Sequence, residues 1–158
     1  MRLTPAVSMS AGTLLAAVLL TGGLGCAGRT EILPNSDKNL RRKPAEFAAD
    51  AAKRFPYKVD APRGGEASGR AQVGYSLNVL EVINLSEADW NDVEIWVNQT
   101  HVVSLPVMER GKLKRIPFQA IYDSNGAHFP TNNKTVRVQK VEILKDGTLF
   151  DLRTQLAD

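Results

Sequence analysis

Cysteine and histidine are the residues best suited to covalent, acid–base or metal chemistry. This 158-residue chain has one cysteine, Cys26, and two histidines, His101 and His128. A single thiol can be alkylated or acylated, but it cannot form a disulfide within the chain or a cysteine-based zinc site. The histidines stand in no His-Glu-x-x-His pattern, and the chain has neither a Gly-x-Ser-x-Gly elbow nor a glycine-rich phosphate loop. Only geometry could assemble a Ser–His–acid triad here. The stretch "DSNGAHFPTNN" offers Asp123, Ser124 and Asn125 as oxygen donors. Compared with a calcium loop, Gly126 comes too early and the late Glu is missing, so a turn bonded to its own backbone is expected. Trp90, beside Glu87, Asp89 and Asp92, could stack a sugar or lid one end of a core. The expectation is a protein with no metal, no cofactor and no catalytic residues.

The segment around Cys26, "LLTGGLGCAG", suggests a use for the thiol. No charged residue occurs from Leu3 to Gly28, Arg2 and Arg29 bracket the stretch, and "TLLAAVLL" is its apolar centre. One basic residue, an apolar segment and then small residues form the layout of a secretory signal peptide. Gly22, Gly23, Gly25 and Gly28 interrupt the second half, whereas a spanning helix needs about 20 predominantly apolar residues. The run Gly23-Leu24-Gly25-Cys26 resembles the lipobox of bacterial lipoproteins, with the leucine one place nearer the cysteine than usual. The resemblance implies that Cys26 receives diacylglycerol, that residues 1–25 are removed, and that the protein is held at a membrane by lipid. With Ala27 next, it further implies the outer membrane, facing the periplasm, in a two-membrane cell. Two alternatives stay open: ordinary cleavage after Ala27, and an uncut anchor.

Residues 26–70 read as a basic tether. They are rich in Pro, Gly, Ser and charge, a composition unable to offset ordering entropy by burial. One short helix is expected near residues 44–55, where Phe47, Ala51 and Phe55 recur every four residues and Pro44 suits a first turn. Residues 27–70 carry ten Lys/Arg and six Asp/Glu, against nine and eleven in residues 71–158. The excess positive charge therefore lies in the tether, and no nucleic-acid partner is expected for the rest.

From Ala71 the pattern alternates with period two. Val73, Tyr75, Leu77 and Val79 make one run, followed by Leu80 and Val82 in the other phase, and Val93, Ile95 and Val97 make another. Further runs are Ile116, Phe118, Ala120 and Tyr122; Val136 and Val138, slipping to Val141 and Ile143; and Phe150, Leu152 and Leu156. Asp146-Gly147 is a strong hairpin signal. A three-residue loop, Asn98 to Thr100, would set Ile95 against Val103 and Val93 against Leu105. The expectation for residues 71–158 is an all-β domain, an antiparallel sandwich of six to seven strands. "NLSEADWNDVEIWV" with "FQAIYDSNG" is similar to immunoglobulin-like modules of bacterial lipoproteins such as FxLYD domains, with Asn84, Val93, Tyr122, Asp123 and Gly126 at the matching places. That resemblance implies an exported, non-catalytic immunoglobulin-like sandwich.

If Val93, Ile95 and Val97 face inward, Trp96 faces outward beside Val102. Trp96, Val102 and Trp90 are therefore the candidate contact surface, unless Phe47 and Phe55 of the tether cover Trp96. The expected role is to bind or organise another envelope component, a protein or a glycan. A glycan-binding module using the tryptophans and a small hydrolase are the alternatives.

Overall fold

The computed structural model describes residues 40, 43–130 and 136–156. Cys26, residues 1–25, and residues 27–39, 41 and 42 of the proposed tether lie outside the described residues. One α-helix, α1 (Pro44–Arg54), is followed by seven strands: β1 (Arg63–Gly74), β2 (Val79–Asn84), β3 (Trp90–Val97), β4 (His101–Met108), β5 (Leu113–Pro117), β6 (Val141–Lys145) and β7 (Thr148–Leu156). They form a single mixed sheet in the order β4-β3-β6-β7-β1-β2-β5. The expectation of an all-β chain with six to seven strands and one short helix agrees with this. A wholly antiparallel arrangement does not, because β1 and β7 run parallel.

That parallel pair depends on a strand hidden in residues that read as linker. β1 starts at Arg63, eight residues before the expected boundary at 71, and lies between β7 and β2. Its early half pairs with β7 alone, and Gly69–Gly74 pairs with β2 as well. The register along β7 shifts between Arg63 and Glu66 and again between Glu66 and Arg70, so the strand bends at bulges. Two of its glycines, Gly64 and Gly69, are there for space, and Gly65 for its positive φ. A Cβ on Gly64 would fall within the Phe150 ring, 2.0 Å from its nearest carbon. One on Gly69 would lie 2.6 Å from Trp90 Cη2 and 2.8 Å from the Ile83 carbonyl oxygen.

The hairpin registers follow the side-chain pattern. Ile95 faces Val103, Val93 faces Leu105 and Val97 faces His101, across a loop of three residues. Asn98 and Gln99 take positive φ in that loop. Lys145 pairs with Thr148 across Asp146-Gly147, both at positive φ, as a type I′ turn requires. The run from Val73 to Val79 is not one strand, since Gly74 pairs with Val79 and residues 75–78 turn between them. Val136 and Val138 precede β6 without pairing, Phe118 and Ala120 sit in a 3₁₀ turn after β5, and Leu156 is exposed.

The sheet curls around one main core, into which every strand points: Val73, Leu80, Val82, Val93, Ile95, Val97, Leu105, Ile116, Ile143 and Leu152 among others. Phe118, Ile121 and Phe129, from the connection between β5 and β6, fill its open side. Part of the β4 edge is paired there too. Val102 donates its N–H to the Tyr122 carbonyl (2.8 Å), and Tyr122 donates back to Val102 (3.0 Å). The result is nearly a barrel, with little free edge on that side.

Candidate functional site

α1 owes its placement to one stripe of its surface. Glu46 caps it by accepting the Lys43 N–H at 3.2 Å, and the Phe55 N–H closes it on the Ala51 carbonyl. Phe47 and Ala51, four residues apart on one face, are buried against the outer side of β3 and β4. An 11-residue helix is marginal alone, so this docking accounts for its stability.

The docking partner is the surface around Trp96. Across the strands, Val102, Trp96, Glu142 and Asp151 form one row, with Ser104, Glu94, Leu144 and Leu149 in the next. Alternation correctly places Trp96 opposite in sense to Val93, Ile95 and Val97. Trp96 is nevertheless 0% exposed, because a second layer covers that face. Phe55 and Tyr57 meet its indole edge-on, each at 5.1 Å between centroids. Phe47 packs on Tyr122, also at 5.1 Å. The expected contact surface is thus corrected: Trp96 and Val102 are in contact, but with the chain's own N-terminal segment. Trp90 is corrected as well, lying over Gly69 within the main core at 3% exposure.

Two charged clusters fasten this cover. In the first, the Arg54 fork grips both Asp50 oxygens at 3.1 Å and reaches Glu94 Oε1 at 2.7 Å. The other Glu94 oxygen accepts the Trp96 indole N–H at 3.0 Å, and the Tyr122 hydroxyl donates to Asp50. Burial acts to lower the Arg54 pKa, but the bonds to Asp50 and Glu94 outweigh it and raise it above the ordinary guanidinium value. Burial, and then the bond to the Asp50 carboxylate, raises the Tyr122 phenol.

The second cluster centres on Glu142, which is buried on β6. Arg63 pairs with it, Lys140 Nζ lies 2.8 Å from Oε1, and the Tyr57 hydroxyl donates to Oε2 at 2.8 Å. Lys140 also reaches Asp151 at 2.9 Å. Burial favours the neutral acid, but the bonds from Lys140, Tyr57 and Arg63 prevail and hold Glu142 below the usual carboxylate range. A buried carboxylate with three donors is satisfied. Neither cluster leaves a group poised to attack a substrate. Sequence reasoning missed both, although Asp50 and Arg54 at i, i+4 beside the Phe47–Ala51 stripe were a usable signal.

The other candidates resolve into structure. Asp123 Oδ1 accepts the Asn125 and Ala127 N–H groups, each at 2.9 Å, and Gly126 has φ +79°, so this is the expected self-bonded turn. His101 sits half-buried with its ring against Phe129; burial lowers its pKa, partly opposed by Asp123. Asn84 is fully buried, bonding Ala88, Met108 and Ser86 around the β2–β3 turn. Among the described residues no group of three or more His, Cys, Asp or Glu is placed to hold a metal ion. Among them, too, no helix is long and apolar enough to cross a membrane. No protein-family model, curated protein or solved structure matches the chain.

Proposed function

We propose that this is an exported envelope lipoprotein, anchored by lipid on Cys26, whose β domain binds or organises another envelope component without catalysis. The observation that carries the proposal is the segment "LLTGGLGCAG", in which the chain's one cysteine follows an apolar run and small residues. Two acyl chains or more suffice for stable attachment. In a two-membrane cell the domain would face the periplasm from the outer membrane.

The docking of α1 bears on how the domain would be presented. If Cys26 is the anchor, the domain begins no later than Lys43, where α1 starts, rather than near residue 70. Sixteen residues lie between Cys26 and Lys43, a reach of at most roughly 60 Å fully extended. A 44-residue tether ending at Arg70 would reach about 150 Å. The domain would therefore work close to its membrane.

The immunoglobulin-like description belongs to the same proposal. It is supported by the grouping β4-β3-β6-β7 on one side of β1 and β2-β5 on the other, with a bent β1 joining the two. A binding role fits the charged clusters, which are spent on fastening α1 and residues 55–63. The glycan-binding alternative needs exposed tryptophans, and both are buried.

Fractionation of cells carrying Cys26→Ala tests the reading. The variant is expected as an uncleaved precursor or as released soluble protein. A variant processed and membrane-bound like the wild type would overturn the proposal.

A further inference from the structure

The sheet has a second outer face, on β7, β1, β2 and β5. Residues 70–73 of β1 pair with 153–156 of β7 in unbroken parallel register. Ala71 and Val73 point into the core, so Arg70 and Gln72 point outward, and their partners Arg153 and Gln155 point with them. Two arginines are thus neighbours across the strands, with two glutamines neighbours in the next row. All four residues are exposed. Neighbouring strands are about 4.8 Å apart and same-face residues about 6.6 Å apart along a strand. The four side chains form a small grid made almost entirely of hydrogen-bond donors at its charged end.

Placing two arginines directly opposite each other works against the sheet, since like charges in cross-strand pairs repel. The surrounding carboxylates cancel Arg153 but not Arg70. Glu81 is taken by Arg115 at 2.7 Å, and Glu66 by Arg153 at 3.1 Å. Among the described residues Arg70 has no ion-pair partner, and neither Gln72 nor Gln155 makes a side-chain hydrogen bond. Three arginines against two glutamates, with Asp151 beside Arg153 on the same face paired to Lys140, leave one positive charge on this part of the face, centred on Arg70. One uncompensated charge suits a monoanion. Beyond Arg70 its row continues into half-buried Ile83 and exposed Leu113, so a ligand extending that way would meet apolar surface.

We infer that the grid of Arg70, Arg153, Gln72 and Gln155 is a binding site for a phosphodiester monoanion. Its two free oxygens would accept from the Arg70 guanidinium, whose planar fork matches that geometry, and from Arg153 Nη1, which Glu66 does not engage. Its ester arms would lie over the amides or over Ile83 and Leu113. The site is independent of the reading of Cys26, and of α1, which covers the β3–β4 part of the outer side.

Titration of the full chain in detergent with dimethyl phosphate, followed by backbone amide shifts, tests the inference. Saturable shifts are expected at residues 70–73 and 153–156, with millimolar affinity. Arg70→Gln should weaken binding about tenfold, the loss expected when one charge-assisted hydrogen bond is removed. Arg70→Lys should fall between, because it keeps the charge and loses the fork. Lys53→Gln, on α1, should bind like the wild type. The Arg70 variants should melt no lower than wild type, as they remove or soften a like-charge contact. Vesicles of phosphatidylglycerol and of phosphatidylcholine distinguish the sources. Arg70-dependent binding to the former alone points to a lipid headgroup, and binding of dimethyl phosphate without it points to a soluble or polymeric diester; both support the site. No saturable shift with dimethyl phosphate, equal shifts in Arg70→Gln, or tighter binding of acetate would overturn it.

Discussion

Replacing Trp96 by Ala is the perturbation that separates a docked N-terminal segment from a loose tether. If the segment were loose, Trp96 would face solvent and its loss would cost under about 1 kcal/mol. In the structure it is fully buried, with Phe55 and Tyr57 edge-on against it and its indole N–H bonded to Glu94. Truncating a buried aromatic costs about 3–5 kcal/mol. Part of that comes from the two aromatic pairs, at about 0.5–1.5 kcal/mol each. Domains of this kind have about 5–15 kcal/mol in total, so the variant should fold but tolerate much less denaturant. With a urea slope of about 2 kcal/mol per molar, the midpoint should fall by roughly 2 M. Trp90 remains as the fluorescent probe of unfolding. A double-mutant cycle with Phe55→Ala then isolates the contact, with a coupling of at least about 0.5 kcal/mol expected. A loss below about 1 kcal/mol, or no coupling to Phe55, would refute the docking.

Further expectations concern the buried carboxylate and β1. Glu142 titrates below its ordinary value when folded, so its stabilisation is complete above the unfolded pKa near 4.3 and is lost as pH falls through the folded value. Glu142→Gln should cost about 1–3 kcal/mol at pH 7, discounted because Arg63 and Lys140 are partly exposed, and the difference should shrink towards pH 3 in denaturation curves; an equal difference at both pH values would contradict the assignment. Gly69→Ala should cost about 1–3 kcal/mol by overpacking, since the new Cβ would meet the Ile83 carbonyl as well as Trp90; a melting temperature matching wild type would mean β1 does not lie where described.

What was legible in the sequence was legible for local reasons. The 98–100 loop and its register follow from strict alternation on both strands, and Asp146-Gly147 carries its turn geometry in its residue types. The turn at 75–78 was hidden because Tyr75 and Leu77 continue the apolar alternation of Val73 and Val79, while Gly74 and Asn78, which bracket the turn, fall on the non-apolar positions of that alternation. β1 was hidden for the opposite reason. Gly64, Gly65 and Gly69 with scattered charge look like a linker, and only the distant Phe150 and Trp90 explain why Gly64 and Gly69 lack side chains. Period two gave Trp96 its direction but carries no information about a second layer. The four-residue spacings of Phe47, Ala51 and Phe55, and of Asp50 and Arg54, were the traces of that cover.

The central claim is that Cys26 joins this domain to a membrane, and its most direct test is mass spectrometry of the N-terminal peptide of protein purified from the membrane fraction. The account predicts a chain beginning at Cys26, with a diacylglyceryl group on Sγ and, where the cell adds one, an acyl chain on the new amino group. An unmodified chain beginning after Ala27, or one retaining Met1 with a free thiol, would contradict it.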